Sequence, residues 1–433
     1  MGTSTQAWRT SAAQKAARAA LHAALRGVRE GRITIVDGDG EHVAGGGGRE
    51  LSARVAIHSP AVYTALLSRG RGMARTYAAG LWDCDDLVAL VRIAARAMFR
   101  ADPWRARLST ATWPLQRARA PLRNTRRRSR DNVERHYDLG NDFFALVLDE
   151  TMGYSCAFYA QPDMEPVAAS RANLDRVCTL LDLQPGDRVL ELGSGWGPFA
   201  LHAAEHYGAH VSTVTLSLPQ RTYIEQRARE RGIDDRVAVL VSDYRDVRGT
   251  WDKVVSMEMV ESIGAAHLDD FAGQIGRLLR PDGLAVVQAI TTTGRLFPVE
   301  RYSSTFLNEM IFPGGHTPSI EAILDAVARS TSLRPVAMYD ITAHYPPTLR
   351  AWRARLQRNW PQIAALGRFD EWFLRLWTLY FSWCEAGFEE RRVQDRQLVL
   401  AGPRWRDEDR LLGIRTAAAQ APLVAAEPLP VLS

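Results

Sequence analysis

RVLELGSGWGPFALHAA, running from Arg188 to Ala204, joins a buried apolar run to an apolar helix through three closely spaced glycines. Gly193, Gly195 and Gly197 spell GxGxG, not the GxGxxG of dinucleotide sites, and nothing in the loop matches the Gly-Lys-Ser/Thr of a phosphate-cradling turn. Between a strand and a helix, such a loop lets backbone come close to a ligand. The helix N–H groups beyond it favour a carboxylate by about 0.3–1 kcal/mol. A small carboxylate-bearing cofactor therefore suits it, although close packing of strand on helix explains the same glycines, and the loop alone leaves both readings open.

Outward from the loop, strand-like and helical patterns alternate from about residue 170: ASRANLDRVCTLLDL, RVLELGS, GPFALHAAEHYG, HVSTVTLS, LPQRTYIEQRARERG, VAVLVSD, WDKVVSMEM, LDDFAGQIGRLLR and DGLAVVQAIT. This alternation predicts βαβ units, hence a Rossmann-like α/β fold with a mostly parallel sheet covered by helices on both faces. The second strand ends in TLSLPQ, where a nicotinamide enzyme would offer an acidic residue to the ribose. Thr215, Ser217 and Gln220 can still hydrogen-bond a ribose, and the third strand ends in SDYRDV, which puts Asp243 and Tyr244 where an adenine would lie. Polar groups at three successive strand ends on one rim suit S-adenosylmethionine.

After QAITTT the alternation gives way to an irregular segment, RYSSTFLNEMIFPGGHTPS. Two aromatic-rich helices follow, bracketed by strands at LRPVAMYDITAHY and VQDRQLVLAG. Upstream, SAAQKAARAALHAALRGVRE has helical periodicity, GRITIVDGDGEHV reads as short strands, and helices return at SPAVYTALLSRG and LVALVRIAARAMF. The chain thus divides into a small N-terminal α+β domain (1–110), an arginine-rich linker (111–130), a catalytic domain (131–410) with a helical insertion covering the substrate, and a disordered tail (411–433). The net charge of +5 is carried almost wholly by arginine, which a GC-rich genome also explains. No run approaches the roughly 18 apolar residues of a membrane span. Cys84, Cys156, Cys178 and Cys384 lie far apart with no CxxC or CxxH spacing, so neither a metal site nor a disulfide framework is expected.

NVERHYDLGNDFFALVLDETMGYSCAFY, VLELGSGWG, TLSLPQ, VSMEMVESIG, FLNEMIFPGG and HYPPTLRAWRARL, in this order, resemble the cyclopropane-fatty-acyl-phospholipid synthase family, which includes the mycolic acid methyltransferases. The likeness covers roughly residues 125–400 and reaches more weakly into YAAGLWDCDDLVALV. It implies a class I methyltransferase fold and a cofactor set of Tyr154, Ser155, Glu191, Gly193, Gly195, Thr215, Ser217, Gln220, Asp243 and Tyr244 for S-adenosylmethionine. It also implies a bicarbonate pocket at Cys156, Glu261, Gln288, Ile290 and Tyr345, with bicarbonate as the base. Position 288 departs from the pattern, being commonly histidine in characterised cyclopropane synthases. Glutamine can hold an anion by donation but cannot become cationic. Without the resemblance, Cys156 and Tyr345 read as core, and Glu258 and Glu261 as helix caps.

An isolated alkene has no proton to give up, so such an enzyme positions it in line with the sulfonium methyl. Methyl transfer leaves a carbocation on the chain, which needs water-free surroundings, nearby negative or π-electron density, and one base to decide which proton departs. Loss from the new methyl closes a cyclopropane, while loss from a chain carbon gives a methyl-branched or methylene-bearing chain. The resemblance implies ring formation on cis double bonds of phospholipid acyl chains, with Gln288 leaning toward the branched alternative. The expected partners are unsaturated phospholipid and an anionic membrane surface, with the block Arg117–Arg130 as docking candidate and a homodimer as a further expectation. No nucleic-acid partner is expected, because no interleaved aromatic platform accompanies the arginines. The expected location is cytoplasmic, at the inner face of the membrane. Two rivals are methylation of a small soluble acceptor and a non-catalytic lipid-binding module.

Overall fold

The computed structural model describes residues 10–66, 70–99, 139–294 and 305–407. The arginine-rich linker, the 110 boundary and the tail at 411–433 lie outside them. The chain opens with α1 (Ala12–Leu25), whose start is fixed by a reciprocal cap: Ser11 Oγ accepts from the Gln14 N–H while Gln14 Oε1 accepts from the Ser11 N–H. The DG turns do form a hairpin, β1 (Glu30–Asp37) with β2 (Gly40–Gly45). A third strand went unread in the sequence. β3 (Gly47–Ile57) pairs parallel to β1, and its alternating Leu51, Ala53, Val55 and Ile57 are all buried. After α2 (Ala61–Leu66) and α3 (Gly70–Ala78), β4 (Trp82–Cys84) completes a sheet of order β2-β1-β3-β4, and α4 spans residues 87–99. Within this unit His22, Asp37 and His42 offer ligand atoms within 4.8 Å of one another, with the Arg18 guanidinium paired to Asp37 at 2.7 Å beside them.

Past α5 (Gly140–Val147) and α6 (Pro166–Leu181) comes the alternating region: β5 (Arg188–Leu192), α7 (Pro198–Tyr207), β6 (His210–Thr215), α8 (Leu218–Glu230), β7 (Val237–Val241), β8 (Trp251–Met257), α9 (Val260–Ile263), α10 (Leu268–Leu278) and β9 (Leu279–Thr292). Next are α11 (Ile320–Ser330), β10 (Arg334–Asp340), α12 (Tyr345–Arg358), α13 (Trp360–Ala365), α14 (Glu371–Glu389) and β11 (Val393–Ala401). The described part of the irregular segment coils into a π-helical turn at Leu307–Ile311. The seven strands lie in the order β10-β11-β9-β8-β5-β6-β7, parallel except for β11, which runs antiparallel to both neighbours. One apolar cluster packs α6–α8 against one face and another packs α10 and α11 against the other. The order reverses between β5 and β8, and the carboxyl ends of strands at such a switch point are where open α/β sheets bind ligands.

The described part of the N-terminal unit packs on the helices that follow the large sheet. A third cluster runs without a break from Ile33, Val55 and Trp82 to Leu349, Trp377 and Phe381 of α12 and α14. Arg375 of α14 donates to the carbonyls of Tyr77 (2.6 Å) and Trp82 (2.8 Å), and Arg92 and Arg96 of α4 donate to Glu390 at 2.8 and 2.9 Å.

Candidate active site

At the end of β5 all three loop glycines take positive φ, +88° at Gly193, +49° at Gly195 and +77° at Gly197, a region costly for other residues. The three positions differ in their surroundings. A Cβ at Gly193 would meet Met259 Cγ at 3.0 Å and one at Gly197 would meet Ile224 at 2.8 Å, whereas at Gly195 it would meet nothing within 4 Å. The outer glycines serve packing; the middle one faces open volume. Glu191 sits one step back, 2% exposed, accepting from Thr213 Oγ1 at 2.5 Å, and burial pushes its carboxyl up to about 8. The bond from Thr213 ties β5 to β6.

At the end of β6, Thr215 Oγ1 donates to Gln220 Oε1 at 2.7 Å, and Ser217 Oγ caps α8. The Gln220 amide nitrogen is buried and has no partner among the described residues. At the end of β7 the Asp243 carboxylate is gripped by Arg245, at 2.8 Å from Nε and 2.6 Å from Nη2, so an adenine there would share it with that guanidinium. The neighbouring Tyr244 hydroxyl is buried and likewise without a partner among the described residues. An orphaned amide, an orphaned phenol and an open glycine along one rim fit a small polar cofactor of the S-adenosylmethionine kind.

The second half of the site lies one strand over, where β8 ends and Glu258 takes a left-handed conformation (φ +50°). Four donors converge on its side chain. Ser155 Oγ, the Cys156 N–H and Gln288 Nε2 each reach Oε1 at 2.8 Å, and the Tyr345 hydroxyl reaches Oε2 at 2.5 Å. Cys156, Gln288 and Tyr345 are thus brought together as expected, but around the chain's own carboxylate. Glu261 and Ile290 form an adjoining pair, the Ile290 N–H donating to Glu261 Oε1 at 2.5 Å while Oε2 is buried without a partner. The helix-cap reading of both glutamates is therefore corrected. Burial and then the Glu258 charge push Glu261 up to about 8. Burial keeps the Cys156 thiol and the Tyr345 phenol well above their usual values, so the cysteine acts here through its N–H and the phenol as a donor.

Gln288 is fully buried and strung between two groups. Its Nε2 lies within 3.1 Å of Ser155 Oγ, Glu258 Oε1 and Asp395 Oδ2, and its Oε1 accepts from Asn173 (3.1 Å) and Gln397 (3.0 Å). Asp395 is held well above the usual carboxyl range, by burial first and by the Glu258 and Glu261 charges next. Asn173, Asp395, Gln397 and the role of Glu258 were all missed in the sequence. The available signal was the polar run Gln394, Asp395, Arg396 and Gln397 inside a strand that is otherwise apolar.

An aromatic cover closes over this floor. Tyr154 hydrogen-bonds the Tyr380 hydroxyl at 2.9 Å and packs on Phe144 and Trp352; Tyr345 stacks on Phe388 with centroids 4.1 Å apart. Trp196 of the glycine loop reaches into the same cluster, its Nε1 donating to Asn141 at 2.8 Å.

This sheet order, glycine loop and rim define a class I S-adenosylmethionine-dependent methyltransferase. Coclaurine N-methyltransferase, solved with S-adenosylhomocysteine, shares the fold at 18% identity (TM-score 0.58, 78% of this chain and 99% of that one). A family model described as mycolic acid cyclopropane synthetase matches residues 124–398, and the chain belongs to that family. It is 37% identical, over 80% of its length and 83% of the relative's, to tuberculostearic acid methyltransferase UfaA1 of Mycobacterium tuberculosis. Identity to the cyclopropane-fatty-acyl-phospholipid synthase of Escherichia coli is 32%, over 81% and 88%. The mycolic acid cyclopropane synthase CmaA1, solved with S-adenosylhomocysteine and CTAB, superposes with a TM-score of 0.58 at 31% identity, covering 63% of this chain and 98% of that one.

Proposed function

We propose that this methyltransferase acts on a cis double bond of an acyl chain carried by a membrane phospholipid. The observation that carries the reading is the meeting of two surfaces: an anionic floor centred on Glu258, and ring walls from Tyr154, Tyr345 and Trp352 packed against it. A fixed anion beneath water-poor aromatic walls suits a reaction that passes through a carbocation. S-adenosylmethionine supplies an electrophilic methyl group. Gly195 gives it room, while Gln220 and Tyr244 offer the unpartnered polar atoms. The names of the two relatives, one a fatty-acyl-phospholipid synthase, support the substrate class.

One cation leads to two products, a cyclopropane or a methyl(ene) branch. The higher identity to a relative named as a methyltransferase, and Gln288 in place of the histidine common in cyclopropane synthases, favour the branch. Among the described residues no helix is long and apolar enough to cross a membrane. In this reading the enzyme meets its substrate at the bilayer surface, since each methylene drawn through water costs about 0.8 kcal/mol. Incubation with S-adenosylmethionine and unsaturated phospholipid vesicles, followed by mass and proton NMR analysis of the released chains, tests the proposal. Chains one CH2 heavier support it, and ring or vinylidene protons tell the two products apart. Turnover on small soluble acceptors with none on vesicles would overturn it.

A further inference from the structure

We propose that Glu258 is the base of this reaction, its carboxylate taking the proton that the methylated acyl cation loses, in the place that a bound bicarbonate was expected to fill. The inference rests on the proposed transfer to an acyl double bond and names the residue that ends it.

Three of the five groups that the family resemblance assigned to bicarbonate, the Cys156 N–H, Gln288 and Tyr345, donate to Glu258 instead, and a fourth, the Ile290 N–H, goes to Glu261. An external anion would have to displace a side chain already held by four hydrogen bonds, counting Ser155. The backbone is committed to the same end. Glu258 is one of only four non-glycine residues with positive φ among the described residues, and its N–H is tied to the Gln288 carbonyl at 2.8 Å. Left-handed backbone away from glycine persists where surrounding structure enforces it, and it gathers at functional sites.

Charge points the same way. Glu258, Glu261 and Asp395 share one low-dielectric pocket, which does not tolerate three negative charges. Asp395 is fully buried, and its one side-chain amide donor, Gln288, is shared with Glu258. Glu261 receives backbone N–H groups alone, that of Ile290 at 2.5 Å. Burial raises the Glu258 carboxyl as well, but its four donors pull the other way, so Glu258 is the member best supported as an anion, and the residue is partly exposed where Asp395 is fully buried. In the balanced step the alkene π pair forms the new C–C bond as the S–CH3 bond breaks and its pair stays on sulfur. A proton then passes from the substrate to a Glu258 oxygen. The C–H pair it leaves either closes a three-membered ring or, after a hydride shift along the chain, forms a C=C bond. The proton afterwards leaves to water, which restores the carboxylate.

The test uses the full-length enzyme, S-adenosylmethionine and unsaturated phospholipid vesicles in CO2-depleted buffer, with and without added bicarbonate. Wild-type turnover should be the same in both. Glu258→Gly, which suits the positive φ and should fold, is expected to lose at least a hundredfold in kcat and recover part of it with bicarbonate or formate; Glu258→Gln should lose as much without recovery. S-adenosylhomocysteine affinity within about threefold of wild type certifies that the variants are folded. Several-fold activation of the wild type by bicarbonate, near-normal turnover by folded Glu258→Gln, or loss in Glu258→Gly that no small carboxylate repairs would each overturn the assignment while leaving the acyl-transfer reading intact. A wild type inert on every lipid would overturn both.

Discussion

Replacing Glu191 with glutamine should leave stability near pH 5 little changed and remove much of its loss as pH rises. The carboxyl is 2% exposed, is hydrogen-bonded by Thr213, and is pushed by burial from 4.5 in the unfolded chain to about 8 in the folded one. A folded state with the higher value holds a proton that the unfolded state has already released. Its contribution to stability is therefore complete below pH 4.5 and is lost as pH rises through about 8. Each pH unit in that window removes at most about 1.4 kcal/mol, and the whole interval about 5 kcal/mol. Glutamine keeps the size and an acceptor for Thr213 and has nothing to titrate. Glu261 titrates over the same range but is present in both proteins, so it cancels from the difference. Urea midpoints followed by tryptophan fluorescence at pH 5, 7 and 9 provide the assay. Glu191→Gln should lie near wild type at pH 5 and gain on it steadily toward pH 9. Two curves that remain parallel across that range would refute the argument, because they would mean that Glu191 is already ionised in the folded protein.

Tyr345→Phe removes the hydroxyl that donates to Glu258 Oε2 and should lower kcat by about 10²-fold, within the usual span for a lost catalytic donor, with S-adenosylhomocysteine affinity unchanged by calorimetry. Gly195→Ala puts a methyl group into open volume at a positive φ, and should weaken S-adenosylhomocysteine binding at least tenfold while costing only about 1–2 kcal/mol of stability, read from titration and melting. Arg375→Ala deletes two charge-assisted bonds to main-chain carbonyls, at Tyr77 and Trp82, and should destabilise the seat of the N-terminal unit by about 3 kcal/mol, seen as faster limited proteolysis before residue 99.

The α/β sheet was legible because its information is local: glycines at one turn, apolar runs of strand length, and amphipathic helices between them. The rim was legible in part. Gln220 and Tyr244 end with unpartnered polar atoms where a cofactor is expected, but Asp243 is engaged by Arg245 two residues on, a pairing that SDYRDV contains and that strand-end reasoning passed over. The floor was least legible, since its members come from positions 155 to 397 and meet only through tertiary packing. Nothing near Asp395 in the sequence announces that it shares the Gln288 amide with Glu258. What the N-terminal unit packs on was not legible, because sequence periodicity records that a face is apolar without recording what covers it; here α14 does.

Gln288 and Glu258 make most sense as a matched pair. The antiparallel strand β11 sets Gln397 directly across from Gln288, and α6 brings Asn173 to the same spot, so two amide donors converge on Gln288 Oε1. With that oxygen committed, the NH2 end must turn the other way, toward Glu258 and Asp395. It holds the first carboxylate in place without placing a positive charge beside it. A histidine at 288 presents one ring nitrogen to each side and cannot accept from both Asn173 and Gln397, so one buried donor would be orphaned at about 1–3 kcal/mol. A histidinium would suit a loosely held external anion, which needs charge to bind. An anion already attached to the backbone needs only orientation, and a neutral amide fixed at both ends supplies that while leaving the carboxylate its full negative charge to meet a cation.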